Sequence, residues 1–197
     1  MKMHRDKTNL IAEELGDSLI QAVIAGDLPA VRELIDSGAD INFSNMNGVT
    51  PLMAASQWRR TKIIEFLLAN GTSTSPVDRL DGRTALMSAC LSGSPECVEM
   101  LLCAGADVSV RDAYSMTALM LAAITGKIQM VKHLVEAGAE IDARSENGFT
   151  AIDWAEKWGQ RTVASYLSAT NIQKRGRGKT GKRASENSPF MNSENKP

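Results

Sequence analysis

The sequence has 197 residues, 43% of them hydrophobic, and its 22 Lys and Arg residues nearly balance 23 Asp and Glu. This length and composition predict one domain with a tail, and no apolar run approaches the roughly 18 residues that a membrane span requires. The N-terminus lacks the apolar core of a signal peptide, and Cys90, Cys97 and Cys103 have the spacing of neither a disulfide framework nor a zinc motif. We therefore expect a cytoplasmic protein without a metal or other cofactor, with a nuclear location as the alternative.

A polar lead-in comes first and a repeated unit follows it. Residues 1–14 are the lead-in, in which the sequence predicts one helical turn near Leu10 to Leu15. From residue 15 a unit recurs, and Thr marks it at intervals of 34, 33 and 33 residues, at Thr50, Thr84, Thr117 and Thr150. Gly marks it at intervals of 33, 34 and 33 residues, at Gly38, Gly71, Gly105 and Gly138. Two independent sets of positions with one period predict a stacked repeat architecture.

The second repeat shows why the unit should be helical. Thr50 can cap a helix by accepting a hydrogen bond from a backbone N–H, and Pro51 suits the first helical position, where no N–H is needed. A second short helix carries Ile64 and Leu67, and Gly71 is predicted to end it in the left-handed conformation. Neither helix is long enough to be stable alone in water, so each must bury its apolar face against the next repeat.

Apolar residues at the repeat period predict two rows of core side chains. The first row is Val31, Ile64, Val98, Val131 and Ala164, and the second row is Leu34, Leu67, Leu101, Leu134 and Leu167. Each fully buried Leu contributes roughly 1.5–3 kcal/mol to the free energy of unfolding. Cys90 and Cys97 also fall on packed positions, where Cys behaves as a small apolar residue.

The repeat resembles the ankyrin repeat, most closely in the segments Gly48-Val-Thr-Pro-Leu-Met-Ala-Ala and Ser37-Gly-Ala-Asp-Ile-Asn. The likeness covers about residues 15–169. It implies an all-α, right-handed solenoid of about five helix-turn-helix repeats with projecting β-turns, followed here by a disordered basic C-terminal tail. The family's His after the Leu usually serves hydrogen bonding between repeats, and it is replaced by Met53, Met87, Met120 and Asp153.

These observations divide the chain into a lead-in (1–14), a repeat domain (15–169) and a tail (170–197). The repeats are expected at about 15–44, 45–78, 79–111, 112–144 and 145–169. The first and last are diverged copies, as expected for terminal repeats that expose one face to solvent. In the first copy, Asp17 takes the position of the capping Thr.

The tail differs from the rest of the chain in charge. Residues 170–197 contain seven Lys or Arg and two Glu, a net charge of +5, whereas residues 1–169 contain 15 basic and 21 acidic residues, a net charge of −6. Few apolar residues and many Gly, Ser and Asn predict disorder. The tail is compatible with a nuclear-import-like signal, with weak contact to nucleic acid or another anionic surface, or with a solubilising end. Its central basic residues are Lys174, Arg175, Arg177, Lys179, Lys182 and Arg183.

Candidate partner-binding residues follow from the resemblance, because ankyrin repeats bind through a concave face formed beside the turn Gly and at the end of the first helix. Many of the residues at these positions are large and apolar although the fold does not need to bury them, and aromatic, Met and Arg side chains are enriched in interfaces. Arg59 stands where the family normally has Gly. The set is Met46, Val49, Trp58, Arg59, Arg60, Leu80, Arg83, Tyr114, Met116, Ile124, Phe149 and Trp158.

Two interpretations of the tryptophans stay open at this point. Trp58 and Trp158 either contribute to a binding face or pack on neighbouring turns and extend the core. Trp154 lies on a packed position of an inner helix and is predicted to be core.

No enzymatic motif is present in the sequence. Gly178-Lys-Thr-Gly-Lys lacks the upstream Gly of a phosphate loop, and no nucleophile can be placed beside His133. We therefore predict a noncatalytic, monomeric scaffold, adaptor or inhibitor that binds another protein through the concave face. The alternative is a nuclear or nucleic-acid-associated regulator whose tail binds nucleic acid while the repeats recruit a partner.

Overall fold

A computed structural model of the protein describes residues 7–180 and the side chains of residues 10–173. This part of the chain contains ten α-helices and no strand. In chain order they are α1 (Lys7–Ala25), α2 (Leu28–Asp36), α3 (Pro51–Gln57), α4 (Thr61–Ala69), α5 (Ala85–Ser92), α6 (Pro95–Cys103), α7 (Ala118–Thr125), α8 (Ile128–Glu136), α9 (Ala151–Lys157) and α10 (Arg161–Thr180).

Consecutive helices pair into five helical hairpins, and the hairpins stack. The odd-numbered helices form one layer, in which α1, α3, α5, α7 and α9 each contact the next. The even-numbered helices form a second layer in the same order, from α2 to α10. The predicted all-α repeat fold is confirmed, and each short helix is stabilised by the hairpins on either side of it.

The recurring Thr residues begin the inner helices, as the sequence predicts. The hydroxyl oxygens of Thr50, Thr84 and Thr117 accept hydrogen bonds of 3.3, 3.3 and 3.4 Å from the backbone N–H three residues later. Pro51 occupies the start of α3, and Gly71 follows α4 with a φ of +76°. The interval between the recurring Thr residues in the sequence is therefore the interval between the N-caps of the inner helices.

The two predicted core rows are buried through the middle of the stack. Val31, Ile64, Val98 and Val131 have no exposed surface, and neither do Leu67, Leu101, Leu134 and Leu167. Ala164 is 7% exposed. Leu34 is only partly buried, because α2 has an outer-layer neighbour on one side only. Cys90 and Cys97 are buried free thiols, and burial raises the pKa of both above the ordinary value.

The Met residues at the family's His position are part of the core. Met53, Met87 and Met120 are at most 4% exposed. At these three positions apolar packing replaces the hydrogen bonding that the family's His supplies, and Met is flexible enough to fill an irregular space between helices.

The fourth member of this set, Asp153, completes a capping box with Thr150. The Asp153 carboxylate accepts from the Thr150 backbone N–H at 2.7 Å, and the Thr150 hydroxyl accepts from the Asp153 backbone N–H at 3.3 Å. Two helix N-terminal donors are thereby satisfied reciprocally. Hydrogen bonds from the Thr150 backbone and side chain hold the pKa of Asp153 below its usual range.

We expect Asp153→Ala to lower the free energy of unfolding by about 1 kcal/mol at neutral pH, as loss of a cap does. Because the pKa of Asp153 is lower in the folded state, its contribution is complete above the unfolded value of about 3.9 and is lost as the pH falls through the folded pKa. Urea unfolding of the wild type and of Asp153→Ala between about pH 7 and pH 2.5 measures the difference in their free energies of unfolding. An unchanged difference between the two proteins at the lowest pH would contradict the role of the ionised carboxylate.

Both ends of the described chain are more helical than predicted. The sequence predicts one turn near Leu10, whereas α1 begins at Lys7 and runs without interruption to Ala25. Asp17 therefore lies inside a helix and does not cap one. Once a helix is nucleated, each further residue adds a hydrogen bond at little cost, so the polar lead-in extends the helix of the first repeat.

At the other end, α10 continues past the expected boundary at residue 169 to Thr180. Two polar contacts accompany the extension: the Thr170 hydroxyl donates to the Tyr166 carbonyl at 2.8 Å, and the Asn171 amide donates to Asp142 at 2.5 Å. The helix of the last repeat therefore extends past the predicted domain boundary into the first part of the segment predicted as tail. Residues 181–197 lie outside the described residues.

Candidate partner-binding surface

The turns of the second, third and fourth repeats are fixed by the side chain of the residue that begins them. The Asn45 side-chain oxygen accepts from the backbone N–H of Asn47 and of Val49, both at 3.0 Å. Asp112 does the same for Tyr114 and Met116, at 2.9 and 2.8 Å. A side chain that holds two amides of its own turn leaves the residues between them projecting into solvent.

Backbone hydrogen bonds also join each turn to the next. The Arg79 N–H donates to the Asn47 carbonyl at 2.8 Å, and the Ala113 N–H donates to the Asp81 carbonyl at 2.7 Å. The last bond of the row runs from the Glu146 N–H to the Tyr114 carbonyl at 3.0 Å. The turns therefore form a continuous row, which holds their side chains at fixed spacing.

Large apolar side chains are exposed along this row and at the adjoining ends of the inner helices, a surface we call the inner face. Trp58 and Trp158 are 55% and 58% exposed, so neither extends the core. Ten large hydrophobic residues are exposed in the described chain, and six of them lie on the inner face at predicted positions. These six are Met46, Trp58, Leu80, Tyr114, Phe149 and Trp158.

A groove of about 450 Å³ lies in the inner face between the third, fourth and fifth repeats, and we call it the wide groove. Five of its eleven lining residues belong to the predicted binding set, namely Arg83, Tyr114, Met116, Ile124 and Trp158. Met116 lies in its floor and is 7% exposed, whereas Tyr114 at its edge is 54% exposed. The lining is Arg83, Leu91, Asp112, Tyr114, Met116, Leu121, Ile124, Ser145, Asn147, Trp154 and Trp158.

A smaller groove of about 190 Å³ continues the wide groove toward the second repeat. Val49 and Trp58 line it, and it shares Arg83 and Leu91 with the wide groove. The two grooves therefore adjoin along the stack, with Arg83 and Leu91 lining both.

Trp154 differs from its prediction as a core residue. It is only partly buried and lines the wide groove. Its ring meets the Phe149 ring edge-on, with centroids 5.3 Å apart, and the Lys157 ammonium lies 4.9 Å from its centroid. Helical spacing identified the inner-helix position, but the final repeat has no further repeat to cover it.

The charge of Arg83 is balanced within the groove. Its guanidinium contacts the Asp81 carboxylate at 2.8 Å and lies 3.7 Å from Asp112, whose side chain is fully buried. The cation in the groove is therefore already paired with two carboxylates.

The two consecutive arginines of the second repeat have different surroundings. The Arg60 guanidinium donates from Nε to the Ile24 carbonyl at 3.1 Å, and a second bond from Nη2 reaches the same oxygen. Gln160 donates to the Ile124 carbonyl in the same way, at 3.3 Å. Arg60 therefore satisfies the end of the preceding inner helix and belongs to the joint between repeats, although the sequence placed it on the binding face.

Arg59 is exposed and has a φ of +53°. The equivalent positions in the other repeats are Gly26, Gly93, Gly126 and Gly159, all with positive φ. A left-handed conformation costs a residue with a Cβ roughly 1–2 kcal/mol. The Arg59 side chain makes no hydrogen bond within the described residues, and it interacts electrostatically with Glu96.

The predicted basic residues of the tail fall beyond the described side chains. Lys174, Arg175, Arg177 and Lys179 belong to α10 by backbone, whereas Lys182 and Arg183 lie outside the described residues. Within residues 10–173, no group of His, Cys, Asp and Glu is arranged to hold a metal ion. None of the described helices has both the length and the apolar character of a membrane span.

Comparison with known proteins identifies the repeat. The sequence matches the family described as ankyrin repeats (three copies) over residues 19–112 and 105–176. It is similar to "Ankyrin repeat, SAM and basic leucine zipper domain-containing protein 1", with 40% identity over 106 residues in Mus musculus, 38% over 109 in Neofelis nebulosa and 39% over 106 in Dasypus novemcinctus. These alignments cover 51%, 53% and 51% of this chain but 22% of each relative. The chain therefore belongs to the ankyrin-repeat family, whose repeats are generally protein-interaction modules.

Proposed function

We propose that this protein binds a partner protein through the inner face of its repeat stack, as a noncatalytic scaffold, adaptor or inhibitor. The observation that carries the proposal is the concentration of exposed large apolar residues on that face. Trp58, Tyr114 and Trp158 each expose more than half of their surface and line the two adjoining grooves. Exposed Trp and Tyr side chains at a groove are typical of residues that dominate the free energy of binding.

Rigid support of these side chains favours the proposal. The turns are joined by backbone hydrogen bonds of 2.7–3.0 Å, so the side chains on the inner face are held before a partner arrives. A surface that is ordered in the free protein loses less conformational entropy on binding. Arg59 adds an exposed charged group on a backbone with a φ of +53°.

The test is quantitative affinity capture from cell extract with crosslinking, comparing the wild type with Trp58→Ala/Tyr114→Ala/Trp158→Ala. We expect a partner crosslinked to the inner face in the wild type, and at least about a 100-fold loss of affinity in the triple variant, because each such residue contributes 2 kcal/mol or more. A matched control replaces exposed apolar residues elsewhere, with Val77→Ala/Ile172→Ala, and should bind normally. Equal retention by both variants, with unchanged circular dichroism, would refute the proposal.

Arg59→Gly gives a second, independent arm of the same test. Glycine removes the left-handed strain, so the variant should be about 1 kcal/mol more stable than the wild type. If the side chain is kept for binding, the same variant should bind the partner more weakly. A stabilised variant with unchanged affinity would remove Arg59 from the binding surface while leaving the rest of the proposal intact.

A second candidate function is nucleic-acid binding by the tail. The specific observation is the separation of charge, with +5 in residues 170–197 and −6 in residues 1–169, together with the continuation of α10 to Thr180. That helix presents the segment from Lys174 to Lys179 in a regular conformation. Affinity for DNA that falls steeply with salt and is lost on deletion of residues 170–197 would support this function. DNA affinity that is unaffected by the deletion would exclude it.

A further inference from the structure

Four buried polar atoms without a hydrogen-bond partner belong to residues that line the wide groove. Within the described residues, five side-chain polar atoms are buried and unpaired, and only His133 Nδ1 lies away from the groove lining. The other four are Arg83 Nε, Asp112 Oδ2, Ser145 Oγ and Trp154 Nε1. Because nearly all buried polar groups in folded proteins are hydrogen-bonded, four exceptions along one groove call for an explanation.

These atoms are of two kinds. Arg83 Nε and Asp112 Oδ2 face each other at 3.7 Å, so a small movement would pair them. Trp154 Nε1 and Ser145 Oγ make no hydrogen bond and take part in no ion pair. The indole N–H can only donate, and the hydroxyl can both donate and accept. Because both atoms are buried, the side chains must turn toward an occupant, and they then supply it with one donor and one adaptable group.

Apart from Asn147 and the Tyr114 hydroxyl, the remaining lining is apolar and uncharged. Leu121, Ile124, Met116 and Trp158 supply most of the walls, and the one guanidinium among the lining residues is held by Asp81 and Asp112. Lys157 lies over the outer side of the Trp154 ring and is exposed, so it belongs to the rim. A charged side chain entering the groove would lose its hydration without gaining a counter-ion.

We infer that the wide groove binds an uncharged peptide segment through a large apolar side chain, whose own main-chain amide group pairs with Trp154 and Ser145. The inference rests on the proposed function and names the chemistry of the partner at that face. The Trp154 indole donates to a peptide carbonyl, and the Ser145 hydroxyl accepts from a peptide N–H. A space of about 450 Å³ is within the range of pockets that enclose a small ligand, which suffices for one large side chain and its flanking amides.

The test uses three blocked amino acids as minimal peptide probes: N-acetyl-leucine, N-acetyl-lysine and N-acetyl-aspartate, each as the N-methylamide. The chain has three Trp residues, so its indole N–H signals in a ¹⁵N-labelled sample are three and can be assigned by Trp→Phe variants. We expect the leucine probe to shift the Trp154 and Trp158 signals with a dissociation constant in the millimolar range, as suits so small a ligand. The charged probes should bind at least about five-fold more weakly.

Trp154→Phe keeps the aromatic ring and removes only the indole donor. This variant should bind the leucine probe about three- to ten-fold more weakly, the effect of one hydrogen bond. Tyr166→Phe also removes one polar group from an aromatic side chain, but outside both grooves, and serves as the matched control, with unchanged affinity expected. Equal binding of the three probes, equal binding by Trp154→Phe and wild type, or no shift of the Trp154 signal at saturating probe would each overturn the inference.

The experiments distinguish a failure of the proposed function from a failure of the inference about the wide groove. If the triple variant of the inner face loses a partner but the probes do not select leucine, the proposed function stands and the inference is wrong. If the leucine probe binds at Trp154 but the triple variant retains every crosslinked partner, the groove has the inferred chemistry and the proposed function is wrong.

Discussion

Leu101→Ala is expected to lower the free energy of unfolding by about 3 kcal/mol, within the usual range of about 2–5 kcal/mol for a buried Leu. Leu101 has no exposed surface, and its helix, α6, contacts α4 on one side and α8 on the other. Truncation therefore leaves a cavity at two interfaces between repeats. Because the stability of a repeat protein is close to a sum of such neighbouring interfaces, loss at the centre weakens both halves of the stack.

Leu34→Ala is the matched control for this prediction. Leu34 occupies the same position in the first repeat but is only partly buried, so its loss should cost about half as much. Urea unfolding followed by both circular dichroism and tryptophan fluorescence measures the two variants and shows whether the transition stays cooperative. Equal destabilisation by both substitutions would mean that the centre of the stack is no more tightly coupled than its end.

Gly48→Ala is expected to destabilise the protein by about 2–4 kcal/mol for two separate reasons. Gly48 has a φ of +78°, a conformation that costs a residue with a Cβ about 1–2 kcal/mol. A Cβ on Gly48 would also lie 2.7 Å from the Arg79 backbone nitrogen. That nitrogen donates the 2.8 Å bond to the Asn47 carbonyl, which joins the second turn to the third. Overpacking of this kind adds about 1–3 kcal/mol.

Gly148→Ala separates the two causes. Gly148 occupies the same turn position with a φ of +77°, and a Cβ there would meet nothing within 4 Å, so only the conformational strain remains. Ser115 shows that a side chain is tolerated at this position, since it has a φ of +56° in the fourth repeat. Urea unfolding gives the two free energies, and hydrogen exchange of the Arg79 amide should be faster in Gly48→Ala alone. Equal effects of the two substitutions would contradict the close contact.

Most of the fold could be predicted from the sequence because it is built from local and periodic features. Thr50 and its counterparts cap helices through a contact three residues away, and the two core rows recur at one period. Each repeat carries the same pattern of Thr, Gly and apolar residues, so the replacement of the family's His in four repeats does not obscure it. The exposed residues of the inner face could be found because the resemblance to ankyrin repeats places its binding residues beside the turn Gly and at the end of the first helix.

The candidate site was only partly predictable, because its chemistry depends on contacts between repeats. Nothing near Arg60 in the sequence shows that its guanidinium reaches the Ile24 carbonyl, 36 residues earlier. Trp154 occupies a position that is core in a central repeat, and only its place in the final repeat leaves it open to the groove. The unpaired atoms of Ser145 and Trp154 likewise follow from what the neighbouring elements leave uncovered.

The sequence by itself determined the repeat, its caps, its buried rows and the face on which large apolar residues are exposed, since each depends on spacing within about one period. The tertiary structure decided how far α1 and α10 extend, which arginine joins the repeats, and which polar atoms meet in one groove. Those features depend on packing between residues a full repeat or more apart, and on where the stack ends. Residue spacing within one repeat therefore does not predict these features.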